Sequence, residues 1–136
     1  MQTSEEQFPH LLADLTARLK KILANQSDVP CMGLILRKEA NIEVVLGLTD
    51  DTIGLAEVLN AMQEEIIDQI KTSGGIATCI AYPDYPNNQI VALLENEELY
   101  CMTCEIRIVK RDGHLIPDLE NLEIKDGAIH IFGDPA

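Results

Sequence analysis

The stretch that decides the fold class is Leu55-Ala-Glu-Val-Leu-Asn-Ala-Met-Gln-Glu-Glu-Ile-Ile-Asp-Gln-Ile70, followed by Lys71-Thr-Ser-Gly-Gly75. Leu55, Val58, Leu59, Met62, Ile66 and Ile70 recur three and four apart, which predicts a helix with one buried stripe. Asp50, Asp51 and Thr52 are candidate caps before it, and Gly74-Gly75 stops it. The sequence on either side has a different rhythm. Upstream, Cys31–Lys38 and Ile42–Leu48 are short β-rich runs joined by Glu39-Ala40-Asn41, a spacing that suits an antiparallel hairpin. Downstream, Ile76–Tyr82, Gln89–Leu94 and Leu99–Val109 read as strands separated by Pro83–Asn88 and Asn96–Glu98, turn-rich segments typical of a meander.

Working outward, Phe8, Leu11, Leu12, Leu15, Leu19, Ile22 and Leu23 have helical spacing, with Arg18, Lys20 and Lys21 between them. Ser4 and Gln7 match a capping box, whereas Pro9 favours the first helical position, so the start of this first helix stays open. At the other end, Asp112-Gly113 and Asp126-Gly127 are turn signals. The second lies between Leu122–Lys125 and Ala128–Phe132 and predicts a terminal hairpin. The expected fold is therefore α+β, in the order α-β-β-α-β-β-β followed by a β-rich C-terminal hairpin. Short connections imply a mostly antiparallel sheet of about five to seven strands, with both helices on one face.

A chain of 136 residues fits a single globular domain, 1–136, with short flexible ends. Its first ten residues carry acids where an export signal needs basic residues and then an apolar run. Its longest uninterrupted apolar stretch, Ile90–Leu94, falls far short of the roughly 20 residues that cross a bilayer. A cytoplasmic protein is expected, with its four cysteines as reduced thiols.

Charge is distributed unevenly. The net charge is −13, and the stretch from Thr49 to Glu105 holds eleven Asp and Glu residues against one basic residue, Lys71. A field of this sign favours a cationic partner and disfavours nucleic acid and anionic membrane. Nucleic-acid binding needs clustered Lys and Arg, and the only basic group of note, Arg107, Lys110 and Arg111, adjoins Asp112. On the wheel of the second helix, Glu57, Glu64 and Asp68 fall opposite the apolar stripe as an acidic ridge. The segment Tyr82-Pro-Asp-Tyr-Pro-Asn-Asn88 places two of the five aromatic residues in a proline-stiffened loop. A stiff aromatic loop loses little entropy when buried by a partner. The candidate partner-binding residues are Glu57, Glu64, Asp68, Asp84 and Tyr85.

Catalytic signatures are missing. There is no G-x-S-x-G, P-loop or G-x-G-x-x-G, and no His pairing at metal spacing among His10, His114 and His130. Cys101-Met-Thr-Cys104 has C-x-x-C spacing but lies in a run that alternates like a strand, where positions three apart point to opposite faces. Leu55-Ala56-Glu57, at a helix start after two strands, resembles the His/Cys-Ala-Glu of zinc-dependent cytidine deaminases, which also carry a later Pro-Cys-x-x-Cys. Leu55 cannot ligate zinc, and Cys101 follows Tyr100 rather than proline, so Glu57 and the cysteines receive no catalytic role. No catalytic residue, metal ligand or cofactor is assigned.

In size, acidity and helix-then-strands opening the chain is similar to bacterial immunity proteins and to small acidic secretion chaperones. Its element order also resembles roadblock and profilin-like scaffolds. The first two resemblances imply a non-enzymatic protein-interaction module for a basic partner, expected as a homodimer. The alternative is a small-ligand or metal-binding domain, or an enzyme whose residues converge only in three dimensions, with Asp84, Tyr85, Glu105 and the four cysteines as candidates.

Overall fold

A computed structural model describes residues 4–25, 28–47 and 54–133. The elements are α1 (Ser4–Asn25), β1 (Met32–Leu36), β2 (Ile42–Leu46), α2 (Leu55–Ser73), β3 (Ala77–Asp84), a 3-10 turn (Tyr85–Asn87), β4 (Gln89–Asn96), β5 (Cys101–Arg111) and β6 (His114–Asp126). The six strands form one sheet in the order β2-β1-β3-β4-β5-β6, with every neighbouring pair antiparallel. The α+β class, the element order and a C-terminal strand hairpin are thus as expected. The cap candidates Asp50, Asp51 and Thr52 lie outside the described residues.

The helices do not share a face. In β1, Met32, Leu34 and Leu36 join Leu11, Leu15 and Leu19 of α1 in one core, together with Cys79, Ala92, Leu94 and Cys104 from the same face of the sheet. Ile35, the intervening β1 residue, joins Val58, Met62 and Ile66 of α2 in a second core that includes Ile80. Successive strand side chains point to opposite faces, so α1 and α2 cover opposite sides of the sheet. This corrects the expectation of one covered face. The physical cause is that every residue of β1, and the first five of β3, are buried, a pattern of strands buried on both sides.

Gly33 lets α2 approach, because a Cβ there would meet Cδ1 of Ile66 at 2.6 Å. α1 begins at Ser4 and carries Pro9 within it. Gln7 is buried, and its Oε1 accepts a hydrogen bond from Nδ2 of Asn96 at 3.0 Å, fastening the helix to the end of β4.

The C-terminal region also differs from expectation. The hairpin turns at Asp112-Gly113, both at positive φ, and β6 runs unbroken to Asp126. Asp126-Gly127 is no hairpin turn. A Cβ on Gly127 would lie 2.6 Å from the backbone nitrogen of Met102, so glycine here permits the chain to cross close over β5. The crossing segment reaches the α2 face, where Ile131 is buried in the second core and Phe132 packs against it.

Candidate functional site

The side chains of β3, β4 and β5 that share the α2 face follow from the register. Tyr82, Val91, Glu105 and Glu123 are successive partners across β3 to β6, as are Asp84, Gln89 and Arg107 across β3 to β5. The helix packs on β1 and β2 and the crossing tail on Glu95, whereas the Asp84–Lys125 end of this face holds a cleft of about 470 Å³. Gln89, Glu105, Arg107, Glu123 and Lys125 line it beside Asn87 and Asn88.

Hydrogen bonds tie this end together. Nε2 of Gln89 donates to Oδ2 of Asp84 at 3.0 Å and to Oε2 of Glu105 at 3.3 Å, and Nδ2 of Asn87 also donates to Oδ2 of Asp84, at 2.8 Å. Lys125 Nζ stands 2.8 Å from Glu105 Oε1. The Lys125 hydrogen bond and charge, with help from Gln89, hold the Glu105 carboxyl below its ordinary value, while Glu105 raises Lys125. Burial, and then the charges of Asp84 and Glu105, push the Tyr82 phenol up. The cleft therefore presents the Glu105 carboxylate beside two cationic side chains, Lys125 and Arg107, while the Tyr82 phenol lies on the same face of the sheet outside its lining.

The structure separates the sequence-derived candidates into groups. Glu57, Glu64 and Asp68 are exposed on the outer surface of α2, opposite buried Val58, Met62 and Ile66, and no ion pair engages them among the described residues. Asp84 ends β3 and joins Glu105 through Gln89, a link that bridges 21 positions of sequence. Tyr85 goes elsewhere. Its hydroxyl accepts a hydrogen bond from the backbone N–H of Val29 at 3.2 Å, and it borders a second groove of about 480 Å³ with Leu23, Ile108 and Leu115, residues associated with the α1 core. The expected loop is shorter than read, because Tyr82–Asp84 belong to β3. Pro83 is tolerated there because β1 pairs with β3 only as far as Ala81.

Gln89, Glu123 and Lys125 escaped the sequence reading. Only Gln89's place opposite Asp84 in a hairpin could have revealed any of them. Glu95 was equally hidden: it is 2 % exposed, and its carboxylate accepts hydrogen bonds from the backbone N–H groups of His130, Ile131 and Phe132.

The cysteines are free. Burial pushes the Cys104 thiol up to about 11 and raises those of Cys31 and Cys79. Cys101 and Cys104 lie on one strand at positions of opposite facing, and among the described residues no three His, Cys, Asp or Glu side chains converge as metal ligands. Also among the described residues, no helix is long and apolar enough to cross a membrane.

Comparison of the chain with protein-family models, curated proteins and solved structures found no match.

Proposed function

We propose that this chain is a non-enzymatic, cytoplasmic protein-interaction module, homodimeric, that holds a basic protein partner against the α2 side of its sheet. The observation that carries the reading is the gathering of acids from separate elements on that side. Glu57, Glu64 and Asp68 come from α2, Asp84 from β3, Glu105 from β5 and Glu123 from β6. Three of these line one outer helix surface, Glu105 and Glu123 line the cleft, and Asp84 is hydrogen-bonded to Gln89 at its edge, so a basic partner meets acceptors on both. Such a surface accelerates encounter with a cationic protein and sets its orientation. This is the role implied by the similarity to immunity proteins and acidic secretion chaperones.

Among the described residues, none of the groups with a shifted pKa is brought toward the value a general acid or base uses at neutral pH. Glu105 and Asp118 are moved down, Lys125, Tyr82 and three thiols up, and each shift carries its group away from neutrality.

The test is an affinity pull-down from lysate of the native host at low and high salt, with wild type beside the triple variant Glu57→Lys, Glu64→Lys, Asp68→Lys. The expected result is one stoichiometric basic protein, released by salt and not retained by the variant. Equal retention by both proteins removes the acidic ridge from the reading.

A further inference from the structure

The two edges of the sheet are built differently. At one edge, β6 carries Pro117, pairs with β5 across a register shift between Glu105 and Arg107, and exposes Glu120, Glu123, Lys125 and Asp126. Proline, irregular register and charge are the ordinary devices that stop an edge from recruiting another strand. At the other edge, β2 reads Ile42-Glu-Val-Val-Leu46, with neither proline nor lysine, and Leu46 is 64 % exposed. Among the described residues no strand pairs with the outer side of β2.

We infer that the β2 edge is the interface of a homodimer, in which β2 pairs antiparallel with β2 of a second copy in a register centred on Val44. The inference rests on the homodimer of the functional reading and is independent of the basic partner. Backbone geometry supplies the register. The N–H of Arg37 donates to the carbonyl of Asn41 at 2.9 Å, and that of Gly47 to the carbonyl of Cys31 at 2.8 Å, at the two ends of the β1–β2 pairing. Hydrogen-bonded and non-hydrogen-bonded pairs alternate along an antiparallel ladder. The odd-numbered positions of β2 therefore turn their backbone groups to β1, and Ile42, Val44 and Leu46 turn theirs outward.

With Val44 opposite Val44 of the second copy, Ile42 faces Leu46 and Leu46 faces Ile42. Every outward N–H and C=O of these residues then has a partner. Their side chains share one face, so the joint carries an unbroken apolar row, and Glu43 stands opposite Val45. A register displaced by one residue pair toward Asn41 sets Glu43 against Glu43 across the axis, and like charges directly opposite destabilise a ladder. Self-complementarity about a twofold axis is what an isologous interface requires. Because each copy carries a charge of −13, salt strengthens this association while weakening any contact with a basic partner.

The experiment is sedimentation velocity on the full chain across a range of micromolar concentrations, at low and high salt, for wild type and Leu46→Lys. Leu46 is exposed, so the substitution spares the fold, which circular dichroism checks. The expected result is a concentration-dependent dimer favoured by salt, with Leu46→Lys weakening it at least about tenfold, or 1.4 kcal/mol. A Val44→Cys chain with Cys31 and Cys101 replaced by serine is expected to form a disulfide-linked dimer through position 44 on mild oxidation. A protein that stays monomeric overturns both the homodimer and the edge. A dimer that ignores Leu46→Lys and does not cross-link through position 44 leaves the homodimer standing and overturns the edge. Neither outcome touches the basic-partner reading, which the pull-down decides.

Discussion

The carboxylate of Glu95 receives the backbone N–H of Ile131 at 2.7 Å across 36 residues of sequence, and this contact pins the end of the chain to the centre of the sheet. The neighbouring N–H groups of His130 and Phe132 converge on the same side chain. Hydrogen bonds to an ionised acceptor are stronger than neutral ones, and buried donors left without a partner are costly. Glu95→Ala is expected to lose about 2 kcal/mol of unfolding free energy in denaturant titration. It is also expected to abolish hydrogen-exchange protection of the Ile131 amide while leaving α1 protected.

Stability is expected to fall at both extremes of pH around Glu105 and Lys125. The folded-state values of Glu105 and Asp118 lie below those of the unfolded chain, Glu105 chiefly through Lys125 and Asp118 chiefly through Asn121. Their contribution is complete above the ordinary carboxylate range of about 4, and is lost as pH falls through the folded values. Lys125 is raised by Glu105, so its contribution is present below the ordinary lysine value and lost as pH rises through the folded one. Melting temperature against pH, measured for wild type and Lys125→Met, checks this: the variant should show a shallower fall on the acid side.

Thiol reactivity should divide in two. Cys79 is wholly buried and Cys104 is also buried with its thiol held at about 11, whereas Cys31 and Cys101 are partly exposed. Only the thiolate reacts, so titration with an aromatic disulfide at mildly alkaline pH should label Cys31 and Cys101 first. Cys79 and Cys104 should react at the rate of global unfolding. Mass mapping of the time course tests this order.

Gly127→Ala should destabilise the protein by about 2 kcal/mol, because the added carbon meets backbone atoms of Met102 that no rotamer change can move. Gly33→Ala meets the flexible end of Ile66 and should cost less. A paired urea titration of the two variants measures the difference.

Thr78 is 0 % exposed, and its hydroxyl has no hydrogen-bond partner among the described residues. Thr78→Val keeps the side-chain shape and removes the unpaired group. Thermal unfolding should show it equal to wild type or more stable by up to about 1 kcal/mol.

Local pattern made much of the fold legible. The apolar spacing of α1 and α2 and the turn chemistry between strands gave the element order, since each depends on neighbours in sequence. The sidedness of the helices depends on which strands are buried twice. The signal was present in Met32–Leu36 and Ile76–Ala81, which are continuous apolar runs apart from Gly33 and Thr78 and lack the alternation of a sheet with one wet face. The acids of α2 could be read as an exposed ridge because a helix wheel is a local construction. The joining of Asp84 to Glu105 could not, because it depends on the registers of β3 with β4 and of β4 with β5. The tail was misread because Asp126-Gly127 has the composition of a hairpin turn, while the need for glycine comes from Met102, distant in sequence.

The strand order has a consequence for how the chain folds. From β3 to β6 each strand pairs with the next along the chain, joined by short turns, whereas β1 meets β3 only after β2 and α2 have been passed. Closing that longer loop loses chain entropy before any contact repays it. The β3–β6 meander is thus the natural early-forming part, with the β1–β2 hairpin and α2 docking onto it as a second cooperative unit. Val58, Met62 and Ile66 pack within that second unit, on β1 and β2, so substitutions there should speed unfolding more than they slow folding.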